Sequence, residues 1–234
     1  MNPIVNNLYT VNERIARAAE RSNRTPDSIE LVAVTKGRSI SEIQTVLDAG
    51  VKNIGENRVQ EAQQKYSIDA IADPKTCRWH LIGHLQRNKV KAALGMFSLI
   101  HSVDSLRLLG EIARRSEERT QPVDVLIQVN TTGEASKYGL DADDLLTFMA
   151  DAQAYPTVNI VGLMTMGQFS PSPEANRPAF ALLRSLSEKI ETEQFPCVTI
   201  RYLSMGMTND FEVAIEEGAN LVRIGRAIFE PSLE

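Results

Sequence analysis

Eight short runs of apolar and β-branched residues alternate with helix-patterned stretches, and that alternation leaves this chain few folds to choose from. The first run, Leu31-Val32-Ala33-Val34-Thr35, is continuously apolar up to its last residue, the mark of a strand buried on both faces. Residues 51–55, 79–82, 97–101, 123–129, 160–164, 198–203 and 220–224 carry the other seven. Helices are predicted over 40–49, 57–66, 86–94, 141–154 and 210–217. Asp104 or Ser105 can cap another, whose Leu106, Leu109, Ile112 and Ala113 share a face, and Phe180, Leu183, Leu186 and Ile190 mark a long one. Ahead of the first strand, Ile4, Leu8, Val11, Ile15, Ala18 and Ala19 recur three and four apart, which predicts a helix over 3–22.

Strands that alternate with helices across short connections pair in parallel through helical crossovers. A (β/α)8 barrel needs roughly 200–250 residues, and the chain has 234. Count and length therefore predict an α/β fold, a single (β/α)8 TIM-type barrel with an extra N-terminal helix, over an open doubly wound sheet. No repeat, linker or charge block divides the chain, so residues 1–234 read as one domain.

Hydrophobic content of 43% and charged content of 24% belong to a soluble globular protein. A net charge of −5 argues against a nucleic-acid binder. Cys77 and Cys197 are too few for a disulfide framework and lack metal-ligand spacing, so a reducing, cytoplasmic setting and no metal are expected. Residues 1–7 lack the features of a signal peptide, and no apolar run approaches the roughly 18 residues of a membrane span.

Barrels of this kind place function at the C-terminal ends of their strands. Those ends carry Lys36, Asn57, Gly83-His84, Asn130, and the segments 164–167, 204–208 and 225–226. Ser204, Gly206 and Thr208 precede a short helix that Asn209 or Asp210 could start, and Gly225 with Arg226 completes the far side. Small residues let backbone N–H groups approach an anion, which predicts a phosphate site; the same residues also serve as turns and caps. Lys36 is either a solvated lysine or, desolvated beside cations, a nucleophilic amine. A carbonyl ligand with a phosphate tail would join the two observations.

Arg223 lies two residues before Gly225 and so faces the same side of its strand. Buried there it needs a partner, either a pyridine nitrogen or a carboxylate from a neighbouring strand. Beside a permanently charged arginine a pyridine stays unprotonated and is a poor electron sink. Asn57 either bonds a ligand's ring oxygen or caps the helix that follows. Glu56 reads as a salt-bridge partner and His80 as a core histidine. Lys137 is a rim cation or a solvated one, and Met164, Met205 and Met207 pack a flat ligand or the core.

Together, Val32-Ala33-Val34-Thr35-Lys36, Ile54-Gly55-Glu56-Asn57-Arg58-Val59-Gln60-Glu61, Trp79 to Lys89, Leu203-Ser204-Met205-Gly206-Met207-Thr208-Asn209-Asp210 and Val222 to Phe229 resemble successive signatures of one family, the YggS/PROSC-type pyridoxal phosphate homeostasis proteins. The resemblance implies a fold-type III barrel similar to the N-terminal domain of alanine racemase, with Lys36 as the Schiff-base lysine of pyridoxal 5′-phosphate (PLP). It places Asn57, Ser204, Gly206, Thr208, Arg223, Gly225 and Arg226 at cofactor-contacting positions. It also implies a protein that holds PLP, serves vitamin B6 homeostasis and delivers the cofactor to PLP-dependent apoenzymes, with no catalytic residues and no turnover; without a second domain, a monomer is expected. Thr35 and Thr208 stand where the family often has serine, and Phe229-Glu230-Pro231 replaces a usual Phe-Gly.

Two other readings share the barrel and the lysine. An amino-acid racemase needs an acid/base on each face of the carbanion. In racemases the second, a tyrosine, comes from an added β-domain and the partner subunit; here Tyr138 is the sole loop substitute. A Schiff-base aldolase without cofactor would be colourless.

Overall fold

Parallel pairing carries the strands around a complete ring in a computed structural model that describes residues 2–67, 77–134 and 138–230. The chain enters through α1 (Pro3–Arg21), where the Asn2 side chain accepts the Ile4 N–H and Pro3 sits at the first helical position. Then come β1 (Glu30–Val34), α2 (Ile40–Asp48), β2 (Asn53–Glu56), α3 (Val59–Tyr66), β3 (Arg78–Leu81), α4 (Val90–Leu94) and β4 (Leu99–Val103). The middle of the chain forms α5 (Leu106–Ser116), β5 (Val123–Asn130), a two-residue β6 (Leu140–Asp141), α6 (Leu145–Ala152) and β7 (Val158–Met164). It closes with α7 (Arg177–Glu193), β8 (Val198–Ser204), α8 (Phe211–Glu216), β9 (Leu221–Ile224) and α9 (Arg226–Phe229).

β1 pairs with β2 on one side and β9 on the other, and β4 pairs with β5, so the order β1-β2-β3-β4-β5-β7-β8-β9 returns to its start. The fold is a closed (β/α)8 barrel. β6 joins only the C-terminal end of β5. Side chains alternate across each strand with period two. Val32, Leu99, Leu126, Val161, Met164 and Leu221 pack together as one cluster on one face. The intervening residues, among them Ala33, Ile54, Leu81 and Ile100, belong to the larger core that also takes in helical residues such as Ile43, Leu109 and Phe180. Burying side chains of that size contributes about 1.5–3 kcal/mol each, and α1 adds Leu8, Val11, Ile15, Ala18 and Ala19 to this layer.

Element boundaries depart from the sequence pattern where polar residues compete with the helix. α3 begins at Val59 with Arg58 at its cap position and no side-chain cap bond, so Asn57 is not the helix cap. The stretch 141–154 narrows to α6 because Asp141 accepts the Asp143 N–H through its own carboxylate, an alternative to helical bonding. The fourth strand lies two residues later than its apolar run, at Leu99–Val103. Ser105 caps α5 through the Leu108 N–H, as its position suggested. Among the described residues no helix is long and apolar enough to cross a membrane.

Candidate cofactor-binding site

A cavity of about 400 Å³ opens where β1, β8 and β9 end. Lys36, two residues beyond Val34, lines it together with Thr208, Asn209, Arg223, Gly225 and Arg226. Lys36 is exposed, and among the described residues no carboxylate comes within ion-pair distance of its amine. The strand-end lysine, the strand-nine arginine and the two loops expected to hold an anion thus share one space.

Arg223 is 4% exposed. Its guanidinium donates to Ser204 Oγ at 2.6 Å and to the Thr165 carbonyl at 2.9 Å. Among the described residues it has no carboxylate in ion-pair contact, so of its two anticipated partners the neighbouring-strand carboxylate is not the one found. Burial lowers its pKa to about 10, with Asp210 opposing, so it remains a cation at neutral pH. Behind it a polar chain runs into the barrel: His101 Nδ1 lies 2.9 Å from Ser204 Oγ, and His101 Nε2 lies 3.0 Å from His80 Nδ1. Arginine can only donate, so Ser204 Oγ accepts from it and can pass its own proton toward His101 Nδ1. His101 Nε2–H then donates to His80. Burial pushes His80 down to about 3 and His101 well below its ordinary value, which keeps both neutral. His80 is the buried core histidine its strand position suggested; His101 had no separate signal.

The opposite end of the cavity is built from backbone. Among the described residues, the N–H groups of Thr208, Asn209 and Gly225 donate to no other backbone group, and all three line the cavity beside the Arg226 cation. That donor set fits a phosphate. α8 has six residues and α9 four, so individual N–H groups rather than a long helix dipole supply the field. Gly206 turns the chain at φ +90°, where an added Cβ would lie 2.6 Å from Ala214 Cβ and 2.8 Å from Phe211 Cα. Asp210 holds the loop: one carboxylate oxygen accepts the Met207 N–H at 2.7 Å and the other accepts Asn176 Nδ2 at 2.8 Å. Asn176 in turn accepts the Gln168 N–H, tying the loop after β7 to the loop after β8. Asn176 gave no sequence signal, because its bond to Asp210 reaches 34 residues along the chain.

The remaining expected residues separate. Ser204 is fully buried beneath Arg223 and does not line the cavity, and Gly206 shapes the loop from behind. Asn57 lines a second cavity of about 640 Å³ with Arg58, Gly83, His84, Lys89 and Tyr138. Tyr138 stacks on His84 there, ring centroids 4.1 Å apart, and does not line the Lys36 cavity. Met164 and Met205 are buried, whereas Met207 lines the Lys36 cavity. Lys137 and Pro231 lie outside the described residues. Cys77 and Cys197 are free thiols, and burial pushes Cys77 up to about 12.

The family model described as "Alanine racemase, N-terminal domain" matches residues 7–232. The pyridoxal phosphate homeostasis protein of Aquifex aeolicus is 41% identical over 222 residues, covering 95% of each chain. A crystal structure of a protein from Bifidobacterium adolescentis superposes with a TM-score of 0.91 at 37% identity, covering 97% of this chain and 94% of that one. PipY of Synechococcus elongatus, solved with PLP bound, superposes with a TM-score of 0.79 at 32% identity, covering 92% and 99%.

Proposed function

Since the chain belongs to the family of the pyridoxal phosphate homeostasis proteins, within the alanine racemase N-terminal domain family, we propose that it holds PLP as a Schiff base on Lys36. It serves intracellular vitamin B6 homeostasis by keeping and delivering the cofactor to apoenzymes, as a cytoplasmic monomer without turnover of its own, residues 1–234 acting as one binding unit. The single observation that carries this reading is the cavity in which the Lys36 amine, the buried Arg223 cation and the unspent amides of Thr208, Asn209 and Gly225 meet.

Bound there, PLP supplies an aldehyde that condenses reversibly with an amine and releases water. The chain does the rest. Lys36 brings a primary amine that no carboxylate among the described residues holds in an ion pair. Thr208, Asn209, Gly225 and Arg226 would hold the phosphate and Arg223 would meet the ring nitrogen, while Asp210 and Asn176 keep the phosphate loop in place. A charged guanidinium at that nitrogen disfavours its protonation and so weakens the ring as an electron sink, which suits holding better than carbanion chemistry. Racemisation would need a second acid/base opposite Lys36, and Tyr138 stands in the other cavity.

The experiment combines three measurements on purified protein supplied with PLP. A visible absorption band should appear and be absent from Lys36→Ala. The cofactor should reach an apoenzyme even when a trap consumes free PLP. Alanine in D2O should keep its α-proton; exchange in proportion to protein concentration would overturn the non-catalytic reading in favour of a racemase.

A further inference from the structure

Lys36 is held from both sides by a buried ion cluster on the outer face of the barrel. Lys65 of α3 is 8% exposed, and its ammonium donates to three acceptors: the Thr35 carbonyl at 2.8 Å, Glu56 Oε1 at 2.7 Å and Glu61 Oε1 at 2.7 Å. The Thr35 hydroxyl donates to the same Glu56 oxygen at 2.6 Å, and Glu61 Oε1 also accepts the Gly37 N–H at 2.5 Å. The residues before and after Lys36 are therefore fastened to one ammonium and its two carboxylates. Between them the Arg38 N–H returns to the Thr35 carbonyl at 3.0 Å, closing a turn with Gly37 at φ +69°, where glycine is free of strain.

We infer that Lys65, Glu56 and Glu61 form a positioning clamp that fixes the Lys36 turn and thereby sets how long the cofactor stays bound; the inference rests on the Schiff-base reading above. The cluster is costly in itself. Glu56 is fully buried, its Oε2 has no partner among the described residues, and burial raises its carboxyl pKa despite the bonds from Lys65 and Thr35. Buried ion pairs of this kind often add little net stability over an apolar filling. Their geometry here is directed at the residues on either side of Lys36, at two backbone atoms, Thr35 O and Gly37 N, and at the Thr35 hydroxyl. Lys65 is excluded as the nucleophile, because all three of its N–H donors are spent. Lys36 faces the cavity; Lys65, on the far side of the strand, holds its backbone. All of these are positioning residues, since none lines the cavity.

Glu61 permits a clean test because it is partly exposed, with 28% of its side chain accessible. Glu61→Ala removes the acceptor for both Gly37 and Lys65, whereas Glu61→Gln retains an acceptor oxygen. Thr35→Val and Thr35→Ser make the same contrast at the other end. PLP release is followed by capture on a trap, with the thermal midpoint of the cofactor-free proteins and the visible circular dichroism of the bound forms measured alongside. Glu61→Ala is expected to release PLP about tenfold faster and to alter the dichroic band, with Glu61→Gln within about threefold of the parent, since the alanine loses both bonds to the carboxylate and the glutamine keeps an acceptor. Thr35→Ser should likewise restore what Thr35→Val loses. A folded Glu61→Ala that releases at the parent rate with an unchanged band overturns the clamp. If the parent's visible band survives Lys36→Ala, the Schiff-base reading fails and takes the clamp with it.

Discussion

Arg223 donates a 2.6 Å hydrogen bond to Ser204 Oγ, and through that hydroxyl the cavity floor is joined to a histidine pair inside the barrel. Among the described residues neither Ser204 nor Arg223 pairs with a carboxylate, and the hydroxyl satisfies one N–H of a buried cation. Ser204→Ala leaves that N–H and His101 Nδ1 without this partner. The expected cost is about 1–3 kcal/mol of unfolding free energy, read from urea denaturation of the cofactor-free protein.

The histidine pair makes stability depend on pH. His80 and His101 are neutral in the fold, with pKa values depressed by burial, yet protonate near 6.5 once unfolded. The unfolded chain therefore binds more protons below that value, and stability falls as pH falls through 6.5 toward about 3 for His80. From pH 8 to pH 5 a neutral His80 gives up about 2 kcal/mol, and His101 shifts stability in the same direction. Glu56 acts in the opposite sense: its raised pKa contributes stability at low pH that is lost as pH rises. A net loss of about 2 kcal/mol is expected in urea midpoints over that interval, and an unchanged midpoint would contradict the neutral pair.

The proposed site puts Arg226 at the phosphate and not at the ring. Arg226→Met is expected to weaken PLP binding about tenfold, the effect of one charge-assisted contact, while leaving pyridoxal, which lacks the phosphate, unchanged. Equilibrium titration of both ligands reads the ratio. Equal losses for the two would place the phosphate elsewhere.

Gly206 carries a purely steric prediction. At φ +90°, with Ala214 Cβ and Phe211 Cα already inside contact distance of an added Cβ, Gly206→Ala combines backbone strain with overpacking. Each is worth about 1–3 kcal/mol, so the thermal midpoint should drop by several degrees even without cofactor.

Much of this was legible in the residues. The apolar runs located the eight barrel strands, and period two placed Arg223 and Gly225 on one face of β9, both now lining the Lys36 cavity. Glu56 paired with a lysine, as its type suggested. What stayed hidden was long-range. The Asn176–Asp210 bond spans 34 residues, and His101 meets Ser204 across 103; spacing along a chain carries no record of such meetings. Lys65 looked like any residue of a polar helix, and only closure of α3 over β1 and β2 turns it inward. From its place after β2 Asn57 read as a helix cap and from the family resemblance as a cofactor contact; it does not cap α3 and lines the second cavity. Asp141 read as helix because sequence periodicity does not register an aspartate that satisfies a nearby N–H itself.

The central claim is that one amine, at the end of β1, bonds the cofactor whose anionic end lies across the mouth against Thr208, Asn209 and Gly225. Borohydride reduction of the PLP-loaded protein followed by peptide mapping measures this directly. A single pyridoxyl label on the peptide containing Lys36 is the predicted result. A label on Lys65, on another lysine, or on none would contradict it.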